Sequence, residues 1–142
     1  MKYMSQGYLD EVKKKLEGAT DEYLKNAKGL TWKMENLVTD CPDGVDKLVY
    51  WEFQDGKLVK ATVQEEKAPS SWRTTPPDLN EVMFRSTASY ETYAQLNRKE
   101  MEVMQAIIAM VYKLEGPLPT FMFRMTQFMA FTDAMAEIPC EY

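Results

Sequence analysis

Between Ser5 and Lys28 the apolar positions Tyr8, Leu9, Val12 and Leu16 recur at three- and four-residue spacing among charged ones, which predicts a helix. Gly18 breaks it. A second turn or two is expected from Thr20, a suitable N-cap, through Tyr23, Leu24 and Ala27 to Gly29, which stands where a helix-ending glycine belongs. After Gly29 the period changes from about 3.6 to about 2, as it does where helix gives way to strand. Trp32 to Val38 and Lys47 to Phe53 read as strands on either side of a Cys-Pro-Asp-Gly turn at 41 to 44. Asp55-Gly56 then separates two strand-like runs, and its glycine supplies the positive φ of a tight hairpin. The run from Lys57 to Gln64 places Val59, Ala61 and Val63 on one face, opposite Val49, Trp51 and Phe53, so one sheet face is expected to be apolar.

From Glu65 to Asn80 proline, serine and threonine dominate and a long loop is expected, with Trp72 either folded over a cavity mouth or simply exposed. Val82 to Thr87 is a fourth strand. Ser89 caps a helix carrying Tyr90, Tyr93 and Leu96, and a further helix is expected from Lys99 to Met110, with Met101, Met104, Ile107, Ile108 and Val111 on its apolar face. Tyr112 to Glu115 is a short fifth strand ended by Gly116-Pro117. The last helix, Pro119 to Ala136, has apolar residues around more than the usual stripe, leaving mainly Arg124, Gln127 and Asp133 for solvent. Such a helix must be covered on two sides: the sheet takes one, and a ligand, a neighbouring helix, another protein or a second copy takes the other.

Composition narrows what this α+β chain can do. Its 142 residues suit one domain spanning 1–142, large enough to bury a core without metal or disulfide. A net charge of -5 repels nucleic acid, and the lysine run at 13 to 15 lies among Asp10, Glu11 and Glu17, as on a solvated helix face; the alternative is a weak headgroup-docking patch. No stretch approaches the roughly 18 to 20 apolar residues of a membrane span, and no signal-peptide core precedes Leu9, so neither stable membrane insertion nor secretion is expected. Cys41 and Cys140 lack metal or disulfide spacing and read as reduced thiols of a cytoplasmic protein. The absence of histidine removes the usual general base and zinc ligand, and no phosphate loop is present, so no metal, nucleotide or other cofactor is expected. The 11 methionines are either core filler or a lining that can repack around a loosely defined apolar ligand.

Asp55-Gly56-Lys57 at the hairpin, the passage Phe84 to Leu96 with Ser89-Tyr90-Glu91-Thr92-Tyr93, and Tyr112-Lys113-Leu114-Glu115-Gly116 fall in an order and spacing that resembles the sterol carrier protein 2 family, from about Asp10 to Ile138. Asn97-Arg98-Lys99-Glu100 departs from the small-residue turn usual in that family, and the terminal peroxisomal signal of some members is absent. The resemblance implies an about five-stranded, mainly antiparallel sheet covered by helices. It also implies an internal hydrophobic tunnel for fatty acyl, sterol or similar molecules. The residue pattern leads to the same expectation, because Met and Phe on facing helices exceed what one sheet face covers.

The expected wall joins Met101, Met104 and Ile108 with Phe121, Met122, Met125, Phe128 and Met129, against Trp51, Phe53 and Met83 of the sheet. Arg85, Arg98 or Arg124 is available to a ligand carboxylate, or else to surface ion pairs. The expected partner is thus an apolar, lipid-like small molecule carried without catalysis. Two alternatives remain. One is a protein-interaction or homodimerisation module built on the last helix. The other is an isomerase-like enzyme with a buried carboxylate, Glu52 beside Tyr50 or Asp133.

Overall fold

The computed structural model describes residues 1–18 and 21–142, so the Thr20 cap lies outside the described residues. The first helix, α1 (Gln6–Glu17), is capped by Ser5, whose hydroxyl accepts from the Tyr8 amide at 3.2 Å. It buries Tyr8, Leu9, Val12 and Leu16, the four positions of the 3.6-residue period. A short α2 (Asp21–Ala27) leads through Gly29, at φ +91°, into the sheet.

Strands β1 (Trp32–Thr39), β2 (Val45–Gln54), β3 (Lys57–Lys67), β4 (Phe84–Ser89) and β5 (Tyr112–Glu115) form one sheet in the order β3-β2-β1-β4-β5. Among these strand pairs β1 with β4 is parallel and the others are antiparallel. The β2–β3 turn is the expected two-residue hairpin, with Asp55 at φ +49° and Gly56 at φ +85°. A side chain at position 56 would stand 2.7 Å from the Ala27 carbonyl oxygen, because the hairpin tip docks on the end of α2. The expected face assignment fails at this end of β3. A bulge pairs Phe53 with Leu58 but Glu52 with Lys60, so Leu58 turns inward and Val59 is left on the surface.

One face of the sheet carries the main core. Trp32, Trp51, Phe53 and Phe84, in one core with Met34 and Val49, meet Phe121, Phe128 and Phe131 from the C-terminal helices in ring contacts, such as Phe53 with Phe131 at 4.8 Å between centroids. Each such side chain contributes about 2 to 3 kcal/mol on burial.

Across the opposite face runs the loop 68–83. Asp46, fully buried, accepts from the amide and hydroxyl of Ser70 and from Arg73, while Arg85 donates to the carbonyls of Trp72 and Thr75 and pairs with Glu35. Strand alternation points Asp46 and Arg85 away from Trp51 and Phe84, so the loop and Trp72 lie behind the sheet and not over the helical face.

Helix α3 (Tyr90–Asn97) begins at Ser89, whose hydroxyl accepts from the Thr92 amide at 3.1 Å, and α4 spans Val103–Ile108, shorter than the expected 99–110. Lys99 and Met110, at φ +62° and +61°, end the two helices in the left-handed conformation. At the first, the amides of Lys99 and Glu100 reach the carbonyls of Leu96 and Gln95; at the second, those of Met110 and Val111 reach Ile107 and Ala106. These are the paired bonds of a Schellman cap, made without its usual glycine.

The expected final helix is divided into α5 (Leu118–Phe123) and α6 (Met125–Ala136) at Arg124. The division leaves Phe121 inside and turns Met122 and Phe123 outward. The all-round apolar character of this stretch is thus met partly by exposure.

Candidate cavity between sheet and helices

A cavity of about 310 Å³ lies between the sheet and α3, α4 and α6. Leu96, Met101, Val103, Phe128, Met129, Phe131 and Met135 form most of its wall, with Tyr3 and Met4 of the N-terminal segment. Asn36, Tyr93 and Tyr112 give it a polar floor.

The floor follows from strand register. Parallel pairing sets Asn36 of β1 opposite Ser86 of β4, both on the inward face. Trp51 donates its indole N–H to Asn36 Oδ1 at 2.6 Å, Asn36 Nδ2 donates to Ser86 Oγ at 2.5 Å, and Ser86 Oγ lies 2.6 Å from the Tyr93 hydroxyl. All four residues are buried, and each bond satisfies a group that would otherwise cost about 1 to 3 kcal/mol. Burial pushes the Tyr93 phenol well above its ordinary pKa and that of Tyr112 up to about 12, so both are neutral hydroxyls near pH 7.

Among the described residues, the charged ones lining the cavity stand at its mouth. Lys99 and Asp133 pair there across the gap between the α3–α4 turn and α6, and Glu102 stands nearby. Asn97, at the same end, donates to the Tyr142 hydroxyl at 2.6 Å.

Of the expected wall, Met101, Phe128 and Met129 line this cavity. Trp51 and Phe121 are fully buried in the core behind it, and Met104 and Met125 are half-buried. Phe53 and Met83 border a second, open groove of about 380 Å³ shared with Trp32, Leu79 and Val82. Ile108 is 77% exposed and Met122 is 45% exposed, so both stand on the outer surface with Met110 and Phe123.

The other candidates are accounted for by local pairing. Tyr50 donates to Glu52 at 2.6 Å, but on the sheet face opposite the cavity. Arg85 is held by Glu35 and Arg98 by Glu100, while the Arg124 guanidinium lies 5.1 Å from the Phe123 ring centroid. In the lysine run, Lys13 pairs with Glu17 and Lys15 with Glu137. Cys41 is buried, which pushes its thiol up to about 12 and keeps it from forming a thiolate. No helix among the described residues is long and apolar enough to cross a membrane.

Absent from the expected wall were Asn36, Tyr93 and Tyr112. For Asn36 a signal was present: it sits between Met34 and Val38, as its partner Ser86 does between Phe84 and Ala88, each a polar residue at an inward position of a strand.

An α+β domain with a mixed five-stranded sheet, helices on one face and an apolar cavity between them is the class of protein these features define. The fold is that of sterol carrier protein 2. A crystal structure of sterol carrier protein 2 superposes with a TM-score of 0.75 over 95% of this chain and 98% of that one, at 15% identity. A conserved hypothetical protein from Thermus thermophilus gives 0.77 over 99% and 92%, also at 15% identity. Sterol carrier protein 2-like 3 from Aedes aegypti gives 0.56 over 89% and 97%, at 17%. No protein-family model matches the chain, and no curated protein sequence matches it.

Proposed function

We propose that residues 1–142 act as one non-catalytic carrier that holds an apolar, chain-like molecule between sheet and helices. The observation that carries this reading is the 310 Å³ cavity, walled by Met, Leu and Phe side chains and closed by a polar floor. At about 30 Å³ of liquid volume per water-sized group, it accommodates roughly ten heavy atoms. That suits a medium-length acyl chain, with any longer part leaving through the mouth beside Lys99 and Asp133. Burying about ten methylenes at about 0.8 kcal/mol each yields about 8 kcal/mol before ordering costs, the size of a micromolar binding free energy. The similarity of fold to sterol carrier protein 2 is consistent with lipid as the ligand class, and two free thiols, Cys41 and Cys140, suit a reducing cytoplasm.

The test is titration with a fluorescent fatty acid. Wild type is expected to bind at micromolar concentration, and Met101→Trp, which adds bulk to the cavity wall, to bind at least tenfold more weakly while keeping its circular dichroism spectrum. Absence of saturable binding to wild type contradicts the proposal.

A second reading rests on the surface. Ile108, Met110 and Phe123 are 77%, 90% and 77% exposed, an unusual concentration of large apolar groups on a short stretch of chain. A homodimer or protein partner would cover them. Light scattering during size exclusion decides between the two: a dimer that dissociates in Phe123→Lys supports this reading, and a strict monomer removes the homodimer.

A further inference from the structure

Resting on the carrier reading, we infer that the cavity floor is a hydrogen-bond donor site that selects a neutral carbonyl group, so that an ester- or ketone-type lipid enters head first. The argument is a count of protons. Trp51 has only an N–H to give, and it takes Asn36 Oδ1, which fixes the Asn36 amide with its NH₂ toward Ser86 Oγ. Asn36 Nδ2 also reaches the Glu35 carbonyl at 3.4 Å, so both its protons are committed.

Ser86 Oγ therefore accepts from Asn36, and it makes one further contact, 2.6 Å to the Tyr93 hydroxyl. Ser86 and Tyr93 bring two hydroxyl protons to that single contact. If Ser86 donates to Tyr93, the Tyr93 proton is left over. If Tyr93 donates, the Ser86 proton is free to turn towards Tyr112, its diagonal neighbour across the β4–β5 pair, and the Tyr112 proton is left over. Both tyrosines line the cavity. In either arrangement the floor offers a hydroxyl donor and needs an acceptor from the occupant.

Charge selects which acceptor. Among the described residues, the one cation lining the cavity, Lys99, is paired with Asp133 at the mouth, and none at the floor neutralises a carboxylate. Burial keeps both phenols protonated, which suits donation to an uncharged oxygen. A carboxylate left there would bear an uncompensated desolvation cost, whereas a carbonyl oxygen accepts one hydrogen bond and carries no charge. A free fatty acid is accordingly expected tail first, with its carboxylate at the mouth.

The experiment compares a decyl-length methyl ketone, isotope-labelled at its carbonyl carbon, with the terminal alkene of the same length, on wild type and on Tyr93→Phe/Tyr112→Phe. In wild type the bound carbonyl stretch is expected below its frequency in hydrocarbon solvent, and the double variant is expected to bind the ketone about tenfold more weakly. Alkene affinity should hold or rise, because the alkene offers the hydroxyls no acceptor, and retained alkene binding controls for folding of the variant. A wild-type carbonyl at the hydrocarbon frequency, or equal ketone affinity in both proteins, overturns the inference and leaves carriage standing if the alkene binds. Failure of wild type to bind either probe overturns both. If the variant does not fold, the wild-type carbonyl frequency alone decides.

Discussion

Arg73 grips the carboxylate of Asp46 with two hydrogen bonds, Nε to Oδ2 at 2.7 Å and Nη2 to Oδ1 at 2.8 Å, and so fixes the loop after β3 against the sheet. With the Ser70 donors, this holds the fully buried Asp46 carboxyl far below the usual carboxylate range. Because its pKa is depressed in the folded state, the stabilisation is present above the unfolded value of about 4 and is lost as pH falls below it. Asp46→Ala is expected to cost about 2 to 3 kcal/mol at neutral pH, moderated by the solvent access of Arg73. Urea denaturation from about pH 7 to pH 3 checks this, since the gap between wild type and variant should narrow towards acid.

Asn36 joins Trp51 to Ser86, and Asn36→Leu leaves the indole N–H buried without an acceptor. A loss of about 1 to 3 kcal/mol is expected, with an altered near-ultraviolet tryptophan spectrum. An unchanged denaturation midpoint would mean that the chain of bonds is not formed in solution.

Lys99 and Met110 show what the sequence concealed. Both end helices in a conformation that favours glycine, so no glycine marked the true ends of α3 and α4. Met110→Gly is expected to raise stability by about 1 kcal/mol, because Met110 is exposed and its left-handed backbone is strained. Thermal unfolding reads the gain directly.

Strong local signals carried most of the fold: the Asp55-Gly56 turn, the Ser89 cap and the alternation in β1 and β2 each reappear in place. The bulge at Val59 was not legible, since an extra residue in a strand looks locally like continued alternation. Within the cavity, Met101, Phe128 and Met129 were readable as apolar helix positions. The floor required knowing that β1 and β4 are parallel neighbours, which brings Asn36 and Ser86 together across 50 residues. Helical periodicity alone likewise could not show that Ile108 and Met122 face outward, because that depends on the end of α4 and the break at Arg124.

Cys41 and Cys140 differ in accessibility, the first buried and the second half-buried. With its pKa pushed up to about 12 by burial, Cys41 should stay silent to a thiol reagent in the native protein. One equivalent is expected to react at mildly alkaline pH and the second only in denaturant; prompt reaction of both would show that the Cys41 region opens readily.

Carriage itself is tested most directly by mass spectrometry of gently purified protein, native and then denatured, with solvent extraction of whatever is released. A stoichiometric apolar adduct, lost on denaturation and carrying a neutral carbonyl or an acyl chain of about ten carbons, is the predicted result. A bare protein that takes up neither fatty acids nor neutral lipids at micromolar concentration would contradict the account.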